Sequence, residues 1–93
     1  MQESEIENKL RKVVENKGGV CFKFVSPGNR GVPDRIAIYP GGMIHFIELK
    51  TKVGRLSALQ KTQISRLRDL ETEVFVLRGI EGVKGYEETI NGI

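Results

Sequence analysis

Cysteine is almost missing from this chain and tryptophan is missing altogether: Cys21 is the one residue of either kind. A lone cysteine excludes an internal disulfide and any all-cysteine zinc site, and it suits a reducing compartment. Cys21 alternates with Phe22 in a run of strand formers, so a packed or half-exposed place is expected for it. No apolar run approaches the roughly 20 residues of a membrane-spanning helix. The start, Met-Gln-Glu-Ser-Glu, is acidic and lacks the cationic and apolar regions of a secretory signal. A cytoplasmic protein without a membrane partner is therefore expected. Internal repeats, low-complexity tracts and interdomain linkers are also wanting, and 93 residues make one domain, residues 1–93. A chain of this size buries roughly 60–70% of its unfolded surface, enough for one modest core without staples. Nothing in it resembles a helix-turn-helix or a zinc finger.

What stands out against this background is Pro33-Asp34, followed after a short hairpin by Glu48-Leu49-Lys50. Residues 34–39 read as a strand, Pro40-Gly41-Gly42 as a turn and residues 43–49 as the return strand. Side chains alternate faces along a strand, so Glu48 and Lys50 share a face with Ile44 and Phe46, while Leu49 points away. Asp34, Ile36 and Ile38 share a face of the partner strand. In an antiparallel hairpin the start of the first strand lies beside the end of the second. Asp34 should therefore approach Glu48 and Lys50 above an apolar floor of Ile36, Ile38, Ile44 and Phe46.

Two carboxylates aimed at one spot repel unless something positive intervenes. A divalent metal would serve: Mg²⁺ prefers oxygen ligands and is usually held by one or two carboxylates, with waters and phosphates completing its shell. The Leu49 carbonyl is a further candidate ligand. Such an ion polarises a phosphoryl group and activates water, while Lys50 stabilises developing charge or positions the attacking water. The plainer reading is an ordinary surface salt bridge from Lys50 to Glu48 or Asp34.

Other elements follow from periodicity. Residues 3–17 form an amphipathic helix with Ile6, Leu10, Val13 and Val14 inward and Gly18-Gly19 as its stop. Glu7 lies at the border of that apolar stripe, either reaching the site as a supporting acid or pairing with Arg11 one turn on. Residues 20–25 are a first strand. A loop rich in turn formers, residues 26–33, leads into Asp34; Arg30 is expected to contact substrate and Ser26 to line the cleft. Ser57-Ala58-Leu59-Gln60 has the capping-box pattern at the start of a helix running to about Glu71. Leu56, Ile64, Leu67 and Leu70 are expected to pack it on the sheet. Gln60 has two competing roles, closing its own helix terminus or facing the site. Residues 73–78 are a fourth strand, reached by a parallel crossover; Val83, Tyr86, Glu87 and Ile90 at helical spacing make residues 80–91 a short helix, whose start Gly79, Gly82 and Gly85 weaken. His45, pointing opposite to Glu48, reads as a half-buried or interface residue rather than a ligand.

The net charge is +3, unevenly spread. From Leu49 to Arg68 there is no acid, and Lys50, Lys52, Arg55, Lys61, Arg66 and Arg68 lie there. Lys23, Arg30 and Arg35 add to the basic side. A cationic segment beside a carboxylate pair suits a polyanion whose cleaved phosphate needs a metal. Lys52, Arg55 and Lys61 are the expected nucleic-acid contacts within that segment. The plainer reading is that Lys61, Arg66 and Arg68 are the solvated face of a helix.

Gly31-Val32-Pro33-Asp34, then Glu48-Leu49-Lys50, then Gln60 in the following helix, resembles the VRR-NUC family, the virus-type replication-repair branch of the PD-(D/E)xK nucleases. The likeness runs from about residue 3 to residue 78. It implies a restriction-endonuclease-like α/β fold, αβββαβ with a mixed sheet between helices and a trailing helix. It implies that Asp34 and Glu48 bind Mg²⁺ or Mn²⁺ with help from Leu49, that Lys50 is catalytic, and that Gln60 and Glu7 match the family's glutamine and first-helix acid. The short chain is similar to stand-alone phage-type members, which implies a phage or prophage protein in a bacterial cell. Such members are associated with resolving four-way (Holliday) DNA junctions as homodimers, a pairing that two equivalent cuts on a two-fold symmetric substrate require. Apolar residues of the C-terminal segment are the expected dimer surface. The alternatives are a nuclease of flaps, nicks or single-stranded ends, a non-catalytic nucleic-acid-binding module, and a small structural or inhibitory phage protein.

Overall fold

The apolar positions of the first helix, Ile6, Leu10, Val13 and Val14, are all buried, and they seat it against a four-stranded sheet. The structure is a computed structural model that describes residues 3–93; Met1 and Gln2 of the acidic start lie outside that range. In chain order the elements are α1 (Glu3–Glu15), β1 (Val20–Lys23), β2 (Arg35–Ile38), β3 (Ile44–Lys50), α2 (Ala58–Asp69), β4 (Glu73–Arg78) and α3 (Gly79–Thr89). The helix α1 stops two residues before its expected end. Gly18 turns left-handed (φ 80) and the amides of Gly18 and Gly19 return to the carbonyls of Glu15 and Val14, a closure that glycine makes at low steric cost.

The sheet order is β1-β2-β3-β4. The first three strands are an antiparallel meander, and β3 pairs parallel with β4 through the α2 crossover. This is the expected αβββαβ order with helices on both faces of a mixed sheet. Period-two alternation divides the sheet into two unlike faces. Ala37, Tyr39, Ile47, Leu49 and Leu77 belong to the deep core, with Val83 and Tyr86 of α3, Ile90 just after it and the inward stripe of α1; His45 is buried on the same face. The other face carries Phe22, Ile36, Phe46, Glu48 and Val76, successive neighbours across the ladders or two residues apart, and α2 covers it beside β4.

Three expectations are corrected. Val83, Tyr86 and Ile90 are at most 2% exposed, so the apolar stripe of the C-terminal helix completes the core and is not available as a dimer surface. Its glycines do not unravel it: Gly82 lies so close to Leu77 that a Cβ there would come within 3.0 Å of backbone. Leu70 does not pack on the sheet but is 75% exposed, because α2 ends at Asp69 and the chain reverses through Glu71 in a left-handed conformation (φ 67). His45 is buried rather than half-buried, its Nδ1 hydrogen-bonded at 2.7 Å to the Tyr86 hydroxyl, which in turn bonds the Tyr39 hydroxyl at 2.7 Å. Burial holds its imidazole below the ordinary histidine range. The reason is alternation: His45 is on the core face, and a buried imidazole must find a partner there.

The candidate active site

The β2–β3 register pairs Arg35 with Ile47, so one further step along the ladder sets Asp34 opposite Glu48. Asp34 itself lies just before β2, where its carbonyl accepts the Phe24 amide at 2.8 Å. Its carboxylate reaches across to β3, with Oδ1 accepting the Leu49 amide at 3.0 Å. On β3, Glu48 is 4% exposed. Lys50, two residues on and therefore on the same face, brings Nζ to 3.6 Å from Glu48 Oε2. Burial, and secondarily the charge of Asp34, pushes the Glu48 carboxyl above the ordinary glutamate range, while Lys50 pulls it back. Each carboxylate thus has its own cation, Lys50 beside Glu48 and Arg35 beside Asp34.

Gln60 joins the group from α2. Its Nε2 donates to Glu48 Oε2 at 3.2 Å, while its Oε1 accepts the Ser57 amide at 2.9 Å and its own amide donates to Ser57 Oγ at 3.1 Å. The two roles expected to compete therefore coexist. A side-chain amide has a donor end and an acceptor end; the acceptor closes the capping box and the donor reaches the site. The loop before Asp34 is docked to the same helix turn. Gly31 adopts φ 88, and a Cβ there would lie 2.7 Å from the Leu59 carbonyl carbon. Gln63 Nε2 adds a hydrogen bond to the Arg30 carbonyl at 3.2 Å.

An open cleft of about 330 Å³ is lined by Asp34, Glu48, Leu49, Lys50, Thr51 and Arg55, with Ile6 and Gly54. The other expected contacts lie around it. Lys52 borders a neighbouring hollow with Val53 and Arg78, and Lys61 a shallow one on α2 with Arg68 and Asp69. Arg30 is exposed on its loop. Ser26 is not among the cleft residues; its Oγ accepts a hydrogen bond from Asn29 Nδ2 at 2.9 Å within the loop. Two arginines counted as basic surface are otherwise engaged. Arg68 bonds the Val74 carbonyl at 2.8 Å, and Arg35 is 7% exposed.

Glu7 is not in the cleft and does not pair with Arg11, which instead meets Glu15 at 3.3 Å. Glu7 forms an ion pair with Arg35. Arg35 Nη1 donates to the Asp34 carbonyl at 3.0 Å and stands 3.7 Å from Asp34 Oδ2. Sequence reading missed this buried arginine, although alternation puts Arg35 on the face of Ala37 and Tyr39. A buried arginine demands an acid, and Glu7 is the acid bordering the apolar stripe of α1.

Among the described residues no group of three or more histidine, cysteine, aspartate or glutamate side chains is arranged to hold a metal. Asp34 and Glu48 offer hard carboxylate oxygens beside an open cleft, a donor set that suits an ion completing its shell with water and phosphate.

No family model matches the chain. It is 42% identical over 77 residues to a protein named "Putative nuclease p44" of Acyrthosiphon pisum secondary endosymbiont phage 1, the match covering 83% of each chain. Among solved structures it is similar to one described as "VRR_NUC domain", with a TM-score of 0.86 and 28% identity over 92% of this chain and 94% of that one.

Proposed function

This chain belongs to the VRR-NUC family of nucleases, and we propose that it is a divalent-metal-dependent endonuclease of DNA whose active site is Asp34, Glu48, Lys50 and Gln60. The observation that carries the proposal is that Asp34, just before β2, lines one cleft with Glu48 and Lys50 of β3, and that Gln60 of α2 is hydrogen-bonded to Glu48. Asp34 and Glu48 would hold Mg²⁺ or Mn²⁺, with the Leu49 carbonyl as a further ligand. The raised affinity of Glu48 for a proton, caused first by burial and only then by Asp34, marks a carboxylate that is costly to keep charged without a cation beside it. An ion bound there would supply positive charge for the phosphoryl oxygens and for the activation of water. Lys50 is the fixed cation that orients an attacking water or stabilises the charge accumulating on phosphate. Gln60 holds Glu48 in place through Nε2. Arg55 in the cleft, and Arg30, Lys52 and Lys61 around it, meet flanking phosphates, so binding weakens steeply with salt.

The preferred substrate in this reading is branched DNA, above all a four-way junction cut by a homodimer. A domain this small, without a groove-reading helix motif, has little surface for reading bases, which favours recognition of shape. The surface that suits a second copy is the uncovered part of the sheet. Val20, Phe22, Met43 and Ile44 are each between 43% and 55% exposed. Val20, Phe22 and Ile44 share the α2 face through the Val20–Ile38–Ile44 and Phe22–Ile36–Phe46 rows. They border β1, an edge strand, and an exposed edge flanked by apolar side chains invites pairing. A two-fold axis makes such an edge self-complementary.

The test is the pattern of incision on labelled four-way junctions, flaps, nicked duplex and single strands, with the oligomeric state of wild type and Phe22→Glu measured by light scattering. Paired symmetric cuts by a dimer, lost with the Phe22→Glu dimer, support the resolvase. Preference for flaps or ends keeps the nuclease and removes the resolvase.

A further inference from the structure

We infer that Arg35, pinned by Glu7, is a positioning residue that sets the orientation of Asp34, and that the α1 acid acts on the site through this arginine rather than in the cleft. The inference rests on the reading of Asp34 as a metal-holding carboxylate.

The structural argument begins with burial. Arg35 alternates with Asp34 along the chain, so its side chain enters the core face below the site, where it is 7% exposed. An unpaired guanidinium there is costly. It meets Glu7 of α1 through Nη2, while Nη1 donates to the carbonyl of Asp34 at 3.0 Å and approaches Asp34 Oδ2 at 3.7 Å. Asp34 is thereby held on three sides. The Phe24 amide and Arg35 share its carbonyl, the Leu49 amide takes Oδ1, and Arg35 stands by Oδ2. A planar fork can serve two acceptors at once in a fixed geometry, which an ammonium does less well.

Charge gives the second half of the argument. An arginine beside a metal-holding carboxylate repels the incoming cation. Glu7 cancels that charge at the far end of the same guanidinium. The pair therefore orients Asp34 without adding net positive charge beside it. Removing Glu7 alone leaves the charge of the arginine uncompensated, which weakens cation binding, and loosens the arginine, which lowers the rate at saturating cation. Removing both charges restores the electrostatic balance but not the orientation.

The test uses the full chain and two readouts: Mn²⁺ binding without DNA, followed by electron paramagnetic resonance, and the single-turnover rate on a four-way junction at saturating Mn²⁺. Glu7→Gln should weaken Mn²⁺ binding by roughly tenfold or more, the range seen when a residue supporting a metal ligand is changed. Glu7→Gln with Arg35→Met should recover most of that affinity while the saturated rate stays low. Arg35→Lys, which keeps the charge opposite Glu7, should hold thermal stability near wild type and still lower the saturated rate. Glu7→Gln and Arg35→Lys variants that change melting temperature alone, with Mn²⁺ affinity and saturated rate as in wild type, would overturn the inference and leave the pair a packing feature. A double variant with no recovery of affinity would overturn the charge-offset argument. A wild-type protein that neither binds Mn²⁺ nor cuts would instead remove the metal-nuclease reading on which the inference rests.

Discussion

Gln60 allows the cap of α2 and the site to be separated by substitution. Ser57→Ala removes the hydroxyl that accepts the Gln60 amide and leaves the Gln60 side chain in place. The loss of an N-cap side chain costs about 1 kcal/mol. Gln60→Ala removes the Oε1 bond to the Ser57 amide, worth about 1 kcal/mol, and the Nε2 bond to the Glu48 carboxylate, worth about 1.5 kcal/mol for a charged acceptor in a partly exposed place. The sum is about 2.5 kcal/mol, against about 1 kcal/mol for Ser57→Ala. In a domain of this size 1 kcal/mol moves the melting temperature by about 4–8 °C, so Gln60→Ala should melt about 6–12 °C below Ser57→Ala. Cleavage separates them further. Ser57→Ala should cut at close to the wild-type rate, whereas Gln60→Ala should fall by roughly tenfold or more. Calorimetry and single-turnover cleavage on one set of proteins decide it. Equal losses of cleavage in the two variants would refute the link through Nε2, because the cap alone would then account for the effect.

Other perturbations probe the burial arguments. Glu48 is held above the ordinary glutamate range by burial and by Asp34. Its protonated form therefore favours the folded state; that contribution is complete below the ordinary glutamate value and is lost as pH rises through the raised one. Glu48→Gln should accordingly melt higher than wild type at neutral pH, with the gap closing in acid; melting curves that stay parallel across pH would refute this. Tyr86→Phe leaves the His45 Nδ1 and the Tyr39 hydroxyl without their shared partner, at a cost of about 1–3 kcal/mol measurable by denaturant titration, and cleavage at permissive temperature should not change. His45 titrates below the ordinary histidine range because it is buried. Its contribution to stability is present above that ordinary value and lost as pH falls through the lowered one, so His45→Asn should flatten the acid limb of the stability curve. Gly31→Ala combines a left-handed backbone, about 1–2 kcal/mol, with a contact against the backbone of Leu59. It should lower both melting temperature and cleavage by displacing the turn that carries Gln60.

The carboxylate pair was legible in the sequence because it depends on the two most regular properties of a hairpin, period-two alternation and a short turn. Asp34, Glu48 and Lys50 needed only the register that Pro40-Gly41-Gly42 permits. Gln60 was legible in both roles, but a spacing rule cannot show that one amide serves two partners through opposite ends. Arg35 was read as surface charge, since its neighbour Asp34 was assigned to the site face without following the alternation one residue further into the core. The spacing of Val83, Tyr86 and Ile90 announced an amphipathic helix. It could not say whether the stripe meets the sheet or a second protein, and the sheet face shared with α1 decided that. Leu70 fits the helical period, but the reversal through Glu71 that exposes it is a property of the chain after the helix. The uncovered Val20, Phe22 and Ile44 follow from how far α2 reaches across the sheet, which no local pattern encodes.

The measurement that bears most directly on the central claim is cleavage of a labelled four-way junction by purified protein, with and without Mg²⁺ or Mn²⁺, beside Lys50→Ala of matched secondary structure and comparable melting temperature. The account predicts cutting that requires the metal and is lost in the variant while salt-sensitive DNA binding remains. Cutting that persists in Lys50→Ala or without a divalent ion, or no cutting by folded wild type on any DNA substrate, would contradict it.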